Sequence, residues 1–184
     1  MSVKSVLGIL VVALALLATR TASAYVYFTP DALMASFFPG ATAIDAVTFT
    51  PDPAARAQLE TALGYELPRA EYTLRVGRGA AGVLGYALLD QQLGQHEPID
   101  FGVLLDSAAH VQRVEVLVYR EAYGDGVRGA AFRKQFVGLG PGAAMRPGKE
   151  IRVVSGATIS TRAIATGVKR ATAIVAAYLG QPRG

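Results

Sequence analysis

The segment Ile151–Arg162 (IRVVSGATISTR) holds the densest group of side chains that could do chemistry. Four hydroxyl residues crowd the turn before a predicted helix: Ser155, Thr158, Ser160 and Thr161. Capping of a helix needs only one of them. The first free N–H groups of a helix also attract anions, above all phosphate, and Gly156 lets the backbone approach a ligand closely. The segment is therefore either a plain capped helix start or an anion site, and the residues alone leave both alternatives open.

Other kinds of catalytic site find little support in the composition. The chain has no Cys, which excludes thiolate metal ligands, iron–sulfur clusters, disulfides and cysteine nucleophiles. Its two His residues, His96 and His110, are interpreted as solvated turn residues rather than metal ligands. A phosphate-binding Gly-rich loop followed by Lys-Ser/Thr, a Gly-x-Ser-x-Gly nucleophile turn and a His-x-x-x-His spacing are all missing from the sequence. Hydrolase and metalloenzyme functions are therefore disfavoured.

The elements around the hydroxyl-rich turn predict a single α+β domain. Thr29-Pro30-Asp31 begins a helix that stops at Pro39-Gly40, and a second helix spans Pro53–Leu63. Alternating and β-branched residues predict strands at 44–50, 72–76, 83–89, 99–105 and 111–119. Short connections between these strands favour a mainly antiparallel sheet packed with helices.

The C-terminal third of the chain completes this order. Alternation in Val111–Tyr119 predicts a strand with one face in the core. A short amphipathic stretch follows at Ala130–Val137, and Gly138–Gly148 is a loop rich in Gly and Pro. A short β run then begins at Ile151, and the last element is a long Ala-rich helix at about Ser160–Leu179. The turn that could bind an anion thus directly precedes the longest predicted helix.

The first 24 residues differ from the rest of the chain. Val6–Ala18 is an unbroken apolar run of 13 residues, which is shorter than the ~20 needed to span a bilayer but typical of a secretory signal. A basic start precedes the run, and Ala22-Ser23-Ala24 has the small-x-small pattern of a cleavage site. We predict a signal peptide at residues 1–24, with an uncleaved membrane anchor as the alternative. Residues 25–184 are then a folded domain outside the cytoplasm.

The turn Ser155-Gly156-Ala157-Thr158, extended by Ile159-Ser160, resembles the S/T-G-A-T motif of the FMN-binding domain family. That family includes covalently flavinylated subunits of sodium-pumping NADH:quinone oxidoreductase and of Rnf complexes, and many small exported flavoproteins. In the family, the last Thr of the motif is joined to the FMN phosphate by a phosphoester bond. A dedicated FAD-dependent flavin transferase makes this bond outside the cytoplasmic membrane. The resemblance implies covalent FMN at Thr158, with Ser155, Gly156 and Ala157 as its turn and Ser160 beside it.

The resemblance covers nearly the whole predicted domain. Stretches similar to the short exported members occur in the same order at 39–41, 85–87, 97–101, 116–124 and 135–138. One position departs from the family: an Asp usually stands six positions before the Thr, and Arg152 stands here. Arg152 either pairs with the flavin phosphodiester, whose charge Lys149 and Arg162 would also favour, or is an exposed Arg without a partner.

The resemblance also implies secondary contacts with the cofactor. Tyr119, Glu121 and Tyr123 lie at the end of a strand and in the loop after it, where binding residues gather on a rigid scaffold. An aromatic ring could stack on the isoalloxazine, and Glu121 could accept a hydrogen bond from a donor on the flavin ring or the ribitol. Gln135 and Phe136 are similar candidates. The alternative for each is a structural role, with Phe136 in the core and Tyr119 as a half-buried strand residue.

These implications favour an exported electron carrier over a stand-alone enzyme. Its FMN would accept electrons from a membrane-bound donor, at the periplasmic or extracytoplasmic face of the membrane, and its maturation would need the flavin transferase. Two alternatives remain: a non-flavinylated accessory or binding module of the same fold, and a small flavin reductase. Residues 25–184 have 16 Lys and Arg against 14 acids and no basic block, which gives no support to nucleic-acid binding.

Overall fold

The computed structural model describes residues 24–121 and 124–181. The elements, in chain order, are β1 (Tyr25–Val26), α1 (Pro30–Phe37), β2 (Ala43–Phe49), α2 (Pro53–Leu63), β3 (Tyr72–Gly79), β4 (Gly82–Leu93), β5 (Pro98–Leu105), β6 (Val111–Tyr119), α3 (Ala130–Arg133) and α4 (Thr158–Leu179). Short 3-10 turns at Asp125–Arg128 and Lys134–Phe136 flank α3. The predicted signal peptide lies, apart from Ala24, outside the described residues. No helix within the described ranges is long and apolar enough to cross a membrane.

The six strands form one antiparallel sheet. Their order across the sheet is β1-β6-β5-β4-β3-β2. Apart from β1, every strand pairs with its neighbours in the sequence, as the short connections predicted. The α+β fold with a mainly antiparallel sheet and a long C-terminal helix is therefore confirmed. The strand β1 was not predicted, because two residues are too few to show a period; it places Tyr25 opposite Tyr119 at the edge of the sheet.

Local signals explain the bounds of the first two helices. The Thr29 hydroxyl accepts a hydrogen bond from the Ala32 N–H group at 3.2 Å, and Pro30 takes the first helical position of α1. The Asp52 carboxylate caps α2 by accepting from two backbone N–H groups, at 2.9 and 2.8 Å. Gly64 ends α2 in the left-handed conformation, with φ +83°. Both helices thus begin and end within about one residue of the predicted bounds.

The long helix α4 packs closely across one face of the sheet. A side chain at Gly167 would have no room, since a Cβ atom there would lie 2.1 Å from Cζ of the buried Phe101 in β5. Ile164, Val168 and Ala171 are fully buried in the same interface. The glycine therefore lets the helix axis approach the strand at this point, and the apolar residues around it fill the core.

A buried ion pair ties α4 to β4 next to this contact. The Arg170 guanidinium donates to Asp90 Oδ2 from Nε at 3.0 Å and from Nη2 at 2.5 Å, and both side chains are almost completely buried. Arg69 lies 3.4 Å from the other carboxylate oxygen of Asp90. Burial disfavours the charged guanidinium, but the Asp90 charge outweighs it and raises the pKa of Arg170. Loss of either partner would leave an uncompensated buried charge.

The strand β6 is buried on both faces, so the prediction of one core face is wrong. Val114 and Val116 belong to the main core cluster, while Leu117 joins a second apolar cluster formed with α1. Glu115 is also buried and pairs with Arg113 at 2.8 Å and with Arg133. The helix α1 covers this second face. Because α1 is distant in the sequence, the alternation within β6 could not predict this contact.

Two further expectations are corrected near the hydroxyl-rich turn. The predicted β run at Ile151 is wrong, because only Ile151 forms a single bridge, with Pro147. Residues 152–154 find no partner strand and stay irregular. The helix α4 begins at Thr158 rather than at about Ser160. The amphipathic stretch 130–137 forms the short helix α3 and a 3-10 turn.

The packing of Gly167 predicts the effect of a single methyl group. Substitution Gly167→Ala raises helix propensity by about 1 kcal/mol, but overpacking against Phe101 costs about 1–3 kcal/mol. We therefore expect the free energy of unfolding, measured with urea, to fall. The neighbouring half-exposed residue provides the control: Thr166→Ala should change it by less than about 0.5 kcal/mol. A more stable Gly167→Ala protein would show that the helix does not approach the sheet this closely.

Candidate functional site

A cleft of about 630 Å³ lies at the N-terminal end of α4. Its walls come from three places in the chain: the start of α4, the residues after β6, and the turn between β4 and β5. The lining residues are Gln95, His96, Glu97, Arg120, Glu121, Gly156, Ala157, Thr158, Ile159 and Ser160. We call it the Thr158 cleft. Its volume falls within the range of about 300–1,000 Å³ that small-molecule sites occupy.

The helix end that faces the cleft has no side-chain cap among the residues that the structure describes. Ala157 stands at the N-cap position, and no side chain accepts a hydrogen bond there. Gly156 before it has φ +73°, with open space around its Cα, so the position requires glycine for its backbone conformation rather than for room. The plain capped helix start is therefore wrong. An N-terminus of this kind favours an anion through its N–H groups and its dipole.

The four hydroxyl residues of the turn divide into two buried and two exposed ones. Ser160 is buried, with its Oγ 3.0 Å from the Tyr119 hydroxyl. Thr161 is buried too, and its Oγ1 accepts from the Val154 N–H group at 3.3 Å. Ser155 is exposed but does not line the cleft. Of the four, Thr158 alone is both exposed and on the cleft wall.

Tyr119 supports this turn from beneath the cleft. Its ring is buried, and burial raises the pKa of Tyr119 while the Ser160 hydrogen bond opposes that rise in part. Gly124, with φ +91°, packs against it: a Cβ atom there would lie 2.7 Å from the Tyr119 hydroxyl and 3.1 Å from Cβ of Ala157. The ring lies in the core rather than on the cleft wall, so it can position the turn but is not placed to stack on a ligand.

Glu121 ties the opposite wall of the cleft together. Its Oε1 accepts from the N–H groups of His96, at 2.7 Å, and Glu97, at 3.1 Å. Gly94 keeps the space open, since a Cβ atom there would lie 2.6 Å from the same oxygen. Burial alone would raise the pKa of Glu121, but hydrogen bonds from the backbone of residues 95–97 outweigh it and lower the pKa. The carboxylate therefore holds the turn in place.

Arg120 and His96 line the cleft, although sequence reasoning assigned Arg120 no site role and predicted His96 to be a solvated turn residue. Arg120 donates to the Pro98 carbonyl at 2.8 Å and to Asp100 Oδ2 at 2.7 Å, which fixes a cation on the wall. Strand topology was the signal that could have found them. Because β5 and β6 are antiparallel, the turn before β5 and the residues after β6 must lie at the same end of the pair.

The remaining predicted site residues lie elsewhere or outside the described ranges. Gln135 and Arg152 bond to each other: Gln135 Oε1 accepts from the Arg152 N–H group at 2.8 Å, and Gln135 Nε2 donates to the Arg152 carbonyl at 3.3 Å. Neither lines the Thr158 cleft. Phe136 is fully buried in the core, and Tyr123 lies outside the described residues. Within residues 24–121 and 124–181, no cluster of His, Asp and Glu could hold a metal ion.

The contacts of Glu121 predict a local and pH-dependent effect. In a Glu121→Gln variant the acceptor loses its charge, and charge-assisted hydrogen bonds are roughly twice as strong as neutral ones. Amide hydrogen exchange at His96 and Glu97 should therefore become faster. The folded-state pKa lies below the unfolded value of 4.5. The stability that the carboxylate contributes is thus present above about pH 4.5 and is lost as the pH falls through the lowered pKa.

The control for this variant is Glu71→Gln, which alters an exposed carboxylate just before β3. It should leave both exchange rates unchanged. The stability difference between wild type and Glu121→Gln should be constant near pH 7 and shrink below about pH 4.5. Equal exchange rates in all three proteins would mean that Glu121 does not hold the turn.

The comparisons with known proteins agree with the geometry of the cleft. Residues 94–173 match the family model of the FMN-binding domain. The match begins at the turn that Glu121 holds and extends through the start of α4, so it includes every wall of the Thr158 cleft. A search of curated proteins found no match. The match over residues 94–173 therefore supports a member of the FMN-binding domain family.

Proposed function

We propose that the chain carries FMN in the Thr158 cleft through a phosphoester bond to the Thr158 hydroxyl and acts as an exported electron carrier. The observation that carries the proposal is the exposed Thr158 hydroxyl at the first position of an uncapped helix of 22 residues. The buried Ser160 and Thr161 hydroxyls are already engaged, so Thr158 is the hydroxyl of the helix start that an enzyme can reach.

The residues present fit such a cofactor. The N–H groups at the start of α4 favour a phosphodiester, which carries one negative charge. Arg120 also lines the cleft, but its charge is offset by Asp100. The exposed Ile159 adds an apolar side chain next to Thr158, and the turn at 95–97 closes the other side. FMN, when bound, supplies reversible one- and two-electron transfer, while the protein supplies binding, orientation and electrostatics.

Attachment needs only one atom from this chain. The Thr158 oxygen would replace AMP on the FMN phosphorus of FAD: the new O–P bond forms, the P–O–P bond breaks, AMP leaves and the hydroxyl proton is lost. A flavin transferase would carry out this exchange, for which Gly156 leaves open space at the turn. A covalent bond suits a protein outside the cytoplasm, where a lost cofactor is not easily replaced.

The cleft supports a carrier better than a reductase. Its two carboxylates are Glu97 and Glu121, and the second already accepts hydrogen bonds from the backbone. Arg120 is likewise paired, with Asp100, so a reductase would have to rely on Glu97 or His96 to activate an organic substrate. The periplasmic or extracytoplasmic location and the membrane-bound redox partner are supported by the apolar leader and by the family resemblance. The alternative is an accessory module without flavin. The colour and the intact mass of the mature protein distinguish it from the carrier.

The proposed linkage predicts the mass of the mature protein. Co-expressed with a flavin transferase, the wild-type chain should gain the mass of one FMN moiety and give a fluorescent band on a denaturing gel. The Thr158→Ala variant should gain none, because the accessible hydroxyl is gone. The matched control, Thr166→Ala, removes a hydroxyl from the same face of α4, outside the S-G-A-T turn, and should retain the added mass.

Two outcomes would contradict the linkage. Added mass in Thr158→Ala would place the bond on another residue, and loss of the added mass in Thr166→Ala would show that its absence does not report on the Thr158 hydroxyl alone. A colourless wild-type protein of unmodified mass, isolated beside an active transferase, would favour the accessory module. The same mass also reports whether residues 1–24 are removed.

A further inference from the structure

The small net charge of the chain conceals an uneven distribution. Residues 141–184 contain seven Lys and Arg and a single acid, Glu150, whereas residues 25–140 contain nine Lys and Arg and 13 acids. Arg170 is buried against Asp90, so it adds nothing to the surface charge. Where the other cations gather on the surface, they attract negatively charged partners over a range set by the salt concentration.

Several of these cations meet in a groove of about 320 Å³ beside α4. Arg146, Arg162 and Lys169 line it together with Tyr65, Met145 and Thr166; we call it the basic groove. Arg146 is paired with Glu150 at 2.5 Å, and this hydrogen bond lowers the pKa of Glu150 to about 2. The carboxylate is therefore ionised at neutral pH and offsets the Arg146 charge. Two net positive charges, from Arg162 and Lys169, remain in the groove.

Neither remaining cation is neutralised within the part of the chain that the structure describes. Arg162 is exposed and has no ion-pair partner there. Lys169 is half-buried, and its Nζ donates to the Ala62 carbonyl at 3.3 Å, which holds the charge in place without cancelling it. The groove thus presents positive charge that no acidic side chain of the described residues neutralises.

The basic groove continues the helix face that carries Thr158. Arg162 follows Thr158 by four residues and Thr166 follows Arg162 by four, so the three side chains lie on one face of α4. At a rise of about 1.5 Å per residue, Lys169 lies ~16 Å along the axis from Thr158. A partner seated in the groove would therefore reach the edge of the Thr158 cleft.

We propose that the basic groove docks an acidic surface of a protein redox partner and so brings that partner next to the cofactor. Its concave shape suits protruding carboxylate side chains better than a flat bilayer. Helices that lie on membranes expose a row of Leu, Phe or Trp beside their cations, whereas α4 exposes one large apolar side chain, Ile159, at its cleft end and lines the groove with Ala165 and Thr166. Lipid-binding clusters also have about 4–8 cations. Only the redox role of the partner rests on the proposed function; the docking charge does not.

The test uses the full chain with the Thr158→Ala substitution and a fluorescent poly-glutamate peptide as the probe. Anisotropy at low ionic strength should show binding, which weakens about tenfold in an Arg162→Gln/Lys169→Gln variant and disappears near 1 M salt, where the screening length is ~3 Å. The control is Lys134→Gln, which removes an exposed cation of the 3-10 turn after α3 and should bind as before.

Other results would overturn the proposal. Equal affinity in the groove variant and in Lys134→Gln would show that the peptide binds elsewhere. Binding of phosphatidylglycerol vesicles through Arg162 and Lys169, without binding of the peptide, would make the groove a membrane contact. The peptide measurement needs no flavin, so failure of docking and failure of flavinylation are separate results. With flavinylated protein, electron transfer to an acidic cytochrome should slow in the groove variant, whereas transfer to a basic cytochrome should not.

Discussion

The close packing of α4 on the sheet determines where every other functional group lies. Gly167 lets the helix approach Phe101, and the buried pair of Arg170 and Asp90 holds it in register along β4. A helix anchored at its middle has fixed ends, so its N-terminus points at the edge where β6 ends and β5 begins. The cleft exists because the Glu121-held turn stands opposite that end. Core packing and a functional site thus depend on the same contact.

The start of α4 uses its hydroxyls in an asymmetric way. Helices usually use one such side chain to cap their own N–H groups. Here Ser160 bonds to Tyr119 and Thr161 to the Val154 backbone, which secures the turn to the core. The helix end is left without a side-chain cap, and Thr158 faces the cleft. A side-chain cap would contribute about 1 kcal/mol of stability. Without one, the N–H groups of the first turn are free to bind an anion instead. A helix end that is held by the core and has no side-chain cap fits the proposed phosphate-linked cofactor.

Features with local causes could be predicted from the sequence, and features with long-range causes could not. Pro53 and Gly64 mark the limits of α2, and alternation marks β6, because the signals lie within each segment. Burial of β6 on its second face depends on α1, far away in the sequence. The S-G-A-T turn pointed to Thr158, but Arg120 and His96 join the cleft only through strand pairing. The contact between Arg152 and Gln135 also joins residues that are distant in the sequence. The basic groove forms only where α4 packs beside the loop 144–147, so its charge could not be predicted from either segment alone.

Peptide mapping of flavinylated protein tests the central claim most directly, because Arg152 and Arg162 flank the turn with trypsin sites. The peptide 153–162 contains Ser155, Thr158, Ser160 and Thr161, so fragmentation can distinguish all four hydroxyls. The account predicts that this peptide carries one FMN phosphoester and that the fragments place it on Thr158. FMN on Ser155, Ser160 or Thr161, or on a peptide outside 153–162, would contradict it.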